Sequence, residues 1–176
     1  MSELDEAWAA ALSEAQRRAR LAGRGEVAEY LALKNSNDLL RKAGVDWLLA
    51  EFTVLAGEAN RAGASIQIAK QDGHRFPTGT STMVGHLLTL TNGVRTLFVE
   101  AGWPRAPRDG VVRGGGLAAA QIRHLGIKAA NEEFRLSLDD AGTPRWLRQH
   151  SQEPNVFHEA NVAQHLSLLF ADTRPQ

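Results

Sequence analysis

The chain contains no cysteine among its 176 residues, so it forms no disulfide, thiolate nucleophile or cysteine zinc site. It has no excess of either charge, because 20 basic residues balance 20 acidic ones. Domains that bind nucleic acid are usually basic, so we do not expect nucleic acid as a partner. No apolar run reaches the roughly 18 residues of a membrane span, and MSELDEAWAA lacks the apolar region of a signal peptide. We therefore expect a cytoplasmic protein that binds no membrane.

The composition, 43% hydrophobic and 23% charged, is that of an ordinary globular protein. The length favours a single domain spanning residues 1–176. Apolar residues at helical spacing predict three N-terminal helices within about residues 1–63, with breaks near Gly23 and Gly44. The third helix has the richest apolar face, so we expect it at the centre of the core, with Phe52 more buried than Trp47.

After residue 63 the apolar period changes from 3.6 to 2, which predicts a mainly antiparallel sheet of five or six strands over about residues 64–148. Asp72-Gly73 is predicted to be a turn. Residues 117–125 fit both a short helix and a strand, and the neighbouring strands favour the strand. A C-terminal helix within about residues 156–171 is predicted to pack on the sheet. The fold class is therefore α+β.

The dipeptide Asn92-Gly93 predicts a hairpin with a type I′ turn, in which Thr91 faces Val94. One side of this hairpin, here called the first face, carries Val84, His86, Leu88, Leu90, Leu97, Val99, Ala101 and Trp103. The other side, the second face, carries Met83, Leu87, Thr89, Thr91, Val94, Thr96, Phe98 and Glu100. The first face is predicted to be core. The second is mixed, so we expect either a covering helix, or an open ligand cavity or dimer contact.

Basic residues are concentrated after the hairpin, where the sequence WPRAPRDGVVRGGG has a single acidic residue. The candidate ligand-binding residues there and in the next element are Trp103, Arg105, Arg108, Arg113 and Arg123. Arginine binds phosphate or carboxylate with a rigid fork, and an indole ring can stack on a base. These residues predict either a site for a small anionic ligand or a solvated loop.

Two histidines complete the set of candidates. His86 and His124 both fall on apolar sides of predicted strands. Each is either a hydrogen-bonded structural histidine or part of a cavity lining in which His86 acts as a general base. Glu100 lies on the opposite side of the hairpin from His86, which argues against a direct pair. His158 and His165 are about 10 Å apart by helical rise, too far to share one ion. The sequence predicts no metal site and no cofactor.

No catalytic motif stands out from these residues. We therefore expect a non-catalytic binding or interaction module that associates with itself or with another protein through its sheet. The alternative is a small-molecule or anion-binding protein, or a small enzyme, with a pocket between the sheet and the helices.

Overall fold

In the computed structural model, which describes residues 3–171, the N-terminal region forms two helices, α1 (Glu3–Leu21) and α2 (Gly25–Arg61). The prediction of three helices is therefore wrong. Gly44 does not end a helix, because it lies where α2 touches the sheet: a Cβ atom there would overlap the Leu136 side chain. The indole Nε1 of Trp146 also donates a 2.9 Å hydrogen bond to the Gly44 carbonyl. These contacts outweigh the ~1 kcal/mol that glycine costs inside a helix.

The chain divides into two compact units, and the division falls within α2, between Lys42 and Ala43. Among the described side chains of the first unit, the buried apolar ones are Leu12, Ala19 and Ala28. The second unit contains the sheet and the main hydrophobic core. The prediction of a single domain stays a prediction.

The sheet has six antiparallel strands whose spatial order follows the chain order. The strands are β1 (Gln67–Thr78), β2 (Ser81–Asn92), β3 (Arg95–Trp103), β4 (Ala118–His124), β5 (Glu132–Leu138) and β6 (Pro144–Arg148). The last helix, α3, is Glu159–Ser167. The α+β class and the antiparallel sheet are thus confirmed, and residues 117–125 contain a strand, as predicted.

The β2–β3 hairpin has a different turn from the predicted one. Asn92 pairs with Arg95, so the two turn residues are Gly93 and Val94. Gly93 supplies a φ of +59° at the first central position, where a type II′ turn needs glycine. The pairing is displaced by two positions, so that Leu88 faces Val99 instead of Leu97. A displacement by an even number leaves the strand residues on their predicted faces, while Val94 moves into the turn.

Asp72-Gly73 is not a turn. β1 continues through it with a β-bulge, where the register shifts between Asp72 and His74 and Gly73 adopts a φ of +69°. The turn between β1 and β2 comes later, between Thr78 and Ser81, which pair with each other. The extra residue changes the face that the following residues occupy. As a result, His74 lies beside the second face of the hairpin.

The main core lies between the first face and the helices of the second unit. Phe52 of α2 is 0% exposed and Trp47 is 36% exposed, so Phe52 is the more buried of the two, as predicted. Val162 and Leu166 place α3 on the same core, but the helix is shorter than predicted. On the second face a smaller buried cluster is formed by Phe76, Met83, Val112 and Ala119. Val112 belongs to the loop between β3 and β4, so a loop covers this end of the second face.

Candidate functional site

Trp103 and Arg105 lie at the start of residues 103–116, here called the arginine-rich loop, and contact each other. The Arg105 guanidinium lies 3.8 Å from the centroid of the Trp103 ring. Trp103 ends β3 and is only 7% exposed, while Arg105 is exposed. This cation–π contact holds a cation at the surface above a ring that belongs to the core.

Asp109 organises the loop. Its carboxylate accepts hydrogen bonds from the backbone N–H groups of Arg105 and Ala106, at 3.1 and 3.0 Å, and from Arg75 Nη2 at 2.7 Å. Burial of Asp109 raises the pKa of its carboxyl, but the hydrogen bonds from Arg75 and the backbone lower it by more. The pKa of Asp109 is therefore below its ordinary value. The acidic residue of the loop therefore neutralises an arginine of β1.

The arginines predicted to form one anion site lie in different parts of the structure. Arg108 and Arg113 are exposed on two separate short 3-10 turns, Pro107–Asp109 and Arg113–Gly115. Arg123 lies in β4 and joins a different cluster. The prediction that these arginines form one anion site stays a prediction, now limited to the loop members.

The cluster that contains Arg123 surrounds Glu100, which is 4% exposed on the second face. One carboxylate oxygen of Glu100 is 2.7 Å from His74 Nε2, and the other accepts a 2.9 Å hydrogen bond from Arg123 Nε. Arg123 also lies over the Phe98 ring, 5.1 Å from its centroid. The sequence did not predict that His74 lies beside Glu100, because the bulge at Gly73 alters the face that His74 occupies. Both carboxylate oxygens have partners, so Glu100 is the buried centre of an ion network whose Arg123 side chain is 44% exposed.

His86 and His124, which the sequence offered as a joint cavity lining, have different partners in the structure. His86 Nδ1 lies 2.6 Å from Asp72 Oδ1, and this hydrogen bond lowers the pKa of the Asp72 carboxyl. His124 Nε2 lies 2.9 Å from Nδ1 of His165 in α3. His86 and Glu100 do not pair, as expected.

The pair His124 and His165 fastens α3 to the sheet. Both side chains are buried, and their rings stack with centroids 5.2 Å apart. His165 Nε2 lies 3.4 Å from Glu132 Oε2, and the same oxygen accepts a 2.9 Å hydrogen bond from Arg148 Nε. Burial lowers the pKa of both histidines, that of His124 to about 4. The neutral imidazoles are therefore structural hydrogen-bonding groups of the core.

The two outer edges of the sheet differ. β6 is a short edge strand, and the segment after it covers its outer side. Leu147 pairs with Val156, and the N–H of Phe157 donates a 2.8 Å hydrogen bond to the Trp146 carbonyl. β1 is the opposite edge, and no strand of residues 3–171 lies beyond it. In its far half, the Pro77 carbonyl accepts a 2.6 Å hydrogen bond from Gln121 Nε2.

The near half of β1, residues 67–72, is here called the free edge segment. Every residue in it is exposed, including Ile68 at 40%. At its start, the side chain of Asn60 bonds to both the N–H and the carbonyl of Ile66, at 2.7 and 2.8 Å. At its end, the Gly73 bulge interrupts the strand. The free edge segment is thus bounded on both sides.

The hairpin geometry shows which backbone groups of this segment point outward. A two-residue turn is closed by a pair that exchanges both backbone hydrogen bonds, and such pairs alternate with pairs that exchange none. Counting from the closing pair Asn92 and Arg95, alternate residues of β2 bond to β3 and the others to β1. The residues of β1 that bond inward are then Gln67, Ala69 and Gln71. The residues whose N–H and carbonyl groups point outward are Ile68, Lys70 and Asp72.

Within residues 3–171, no group of three or more histidine, aspartate or glutamate side chains is placed to hold a metal ion. None of the helices in that range has the length and hydrophobicity needed to cross a bilayer. No family model, curated protein or solved structure matches the chain.

Proposed function

We propose that the chain is a non-catalytic interaction module that pairs with another polypeptide through the free edge segment of its sheet. The observation that carries this proposal is the unequal treatment of the two edges: β6 is covered by residues 155–157, whereas residues 67–72 are exposed and uncovered. An exposed row of backbone donors and acceptors is a template for an added strand. A cytoplasmic location remains part of the proposal.

The titratable clusters support a non-catalytic role. Glu100 has both oxygens occupied by His74 and Arg123. The neutral pair His124 and His165 is buried where α3 meets the sheet. A general base must reach a substrate proton, and these groups are engaged in holding strands and a helix together.

Added peptides test the edge directly. Two probes suit it: a capped peptide of the sequence IQIAKQDG, and a Thr/Val-alternating peptide of equal length. We expect either one to shift the backbone amide NMR signals of Ile68, Lys70 and Asp72, with smaller changes at Ala69, whose N–H bonds inward. The Lys70→Pro variant removes an outward N–H without breaking the ladder to β2, and it should weaken binding. Unchanged amide signals with both peptides would contradict the proposal.

A second candidate function, binding of a small anion at the arginine-rich loop, is favoured by one observation. Arg105 is held over the Trp103 ring at 3.8 Å, so a guanidinium that can bind phosphate is already positioned at the surface. Nucleotides and short single-stranded oligonucleotides should bind more weakly as the salt concentration rises, because added salt shortens the Debye length and screens the arginine charges. Equal binding, or none, by the wild type and by a variant with Arg105, Arg108 and Arg113 all replaced by Ala would eliminate this function.

A further inference from the structure

We infer that the partner of the free edge segment is a second copy of this chain, paired antiparallel about a two-fold axis that passes through Gln71. The inference rests on the proposed function and specifies its partner. In this register Lys70 of one copy lies opposite Asp72 of the other, and the reverse pair forms by symmetry.

Charge selects this partner and this register. Lys70 and Asp72 are the two charged residues of the free edge segment, and both have outward backbone groups on the same face of the strand. Their side chains are solvent-accessible, 49% for Lys70 and 73% for Asp72, and 3.7 Å apart within one chain. Opposite charges directly across two antiparallel strands stabilise the pairing, and like charges destabilise it. The segment is therefore complementary to itself.

The register centred one residue away, on Lys70, is disfavoured by charge. If the axis passed through Lys70, two lysines would face each other across the interface. A lysine on an edge strand normally prevents pairing. Here it prevents pairing in that register and permits the one in which it meets Asp72. The Gly73 bulge ends the ladder beyond Asp72, so in the inferred register the two copies pair over residues 70–72.

Cysteine cross-linking tests the register, because the natural chain has no cysteine. In the inferred dimer the two copies of Gln71 form a pair without hydrogen bonds, with Cα atoms ~4.5 Å apart. That distance suits a disulfide. The two copies of Ala69 are then offset by four residues along the strand, or ~13 Å, which is too far. Both residues are exposed on the same face, so Ala69→Cys is a matched control for Gln71→Cys.

We expect Gln71→Cys to form a covalent dimer rapidly under mild oxidation, and Ala69→Cys to form little. Dominant cross-linking by Lys70→Cys would overturn the register. Comparable cross-linking by all three variants would indicate random collisions and would overturn the inference.

Charge exchange is the second test, measured by light scattering against a monomer mass of 19.2 kDa. Lys70→Asp should raise the dimer dissociation constant about tenfold, since it places like charges opposite each other in both symmetric pairs. The double variant Lys70→Asp with Asp72→Lys should restore association, because it exchanges the charges without changing their complementarity. Asp72→Lys also removes the partner of His86, so circular dichroism of each variant checks the fold.

The two proposals can fail separately. A wild type that stays monomeric at high concentration, and does not cross-link through Gln71→Cys, would overturn the second copy as partner. If the added peptides still shift the outward amides, the free edge segment remains an interaction site. If the peptides have no effect either, the proposed function fails as well.

Discussion

Mild acid should destabilise this fold through the buried pair His124 and His165. Burial lowers the pKa of His124 from 6.5 to about 4, and a proton on His165 would oppose a second proton on His124. Burial also lowers the pKa of His165, against the opposing effect of Glu132. The folded chain therefore keeps its imidazoles neutral, while the unfolded chain takes up protons near their ordinary pKa.

The sign and size of the effect follow from this difference. Between 6.5 and about 4 the unfolded state binds more protons at His124, so the free energy of unfolding decreases as the pH falls through this window. From about pH 7 to about pH 4.5 the expected loss is ~2 kcal/mol for His124 alone. The lowered pKa of His165 adds a loss of the same sign. Carboxyls such as Asp109 and Asp139, whose pKa values lie below 3.8, contribute only at lower pH.

Chemical denaturation followed by tryptophan fluorescence, repeated across this pH range, measures the loss. The His124→Gln variant keeps a hydrogen-bonding side chain but removes the titration, so its stability should depend less on pH than that of the wild type. His150→Gln is the matched control, since the His150 side chain is 72% exposed. The reasoning is refuted if wild-type stability stays constant over the window, or if His124→Gln loses as much stability as the wild type.

Three further substitutions test the fold. Phe52→Ala should lower the free energy of unfolding by ~3 to 5 kcal/mol, because Phe52 is 0% exposed. Val94→Ala, at an 83% exposed turn position, should lower it little. A decrease below about 1 kcal/mol for Phe52→Ala would show that α2 is not central to the core. Glu100→Gln should cost ~2 kcal/mol in denaturation experiments, because two charge-assisted bonds are weakened, and an unchanged midpoint would contradict this. Gly85→Ala should prevent normal pairing of β2 with β3, because the new Cβ would overlap the Ala101 backbone; a wild-type amide spectrum would exclude that clash.

The faces of the first hairpin could be predicted from the sequence, although its turn could not. Alternation places Leu88, Leu90, Leu97 and Val99 on one side whichever two-residue turn is used, provided that the displacement is even. The choice between Asn92-Gly93 and Gly93-Val94 depends on which turn type the rest of the sheet accommodates. That information is not local to the turn.

The errors elsewhere have a common cause. Gly44 looks like a helix break in the sequence, but the close approach of Leu136 and the bond from Trp146 decide its structure. Gly73 looks like a turn, but a partner strand converts it into a bulge. In each case a contact distant in the sequence overrides a local preference. The Glu100 cluster was missed for the same reason, because its position relative to His74 depends on that bulge.

The hydrogen bond from the Trp146 indole to the Gly44 carbonyl makes this side chain a local spectroscopic reporter. Its indole proton is donated to a helix carbonyl, whereas Trp8 and Trp47 are 52% and 36% exposed and Trp103 lies beneath a guanidinium. The four tryptophans of the chain thus occupy four different environments. A one-dimensional proton spectrum should resolve the Trp146 signal, and its loss during unfolding would mark the moment at which α2 separates from the sheet.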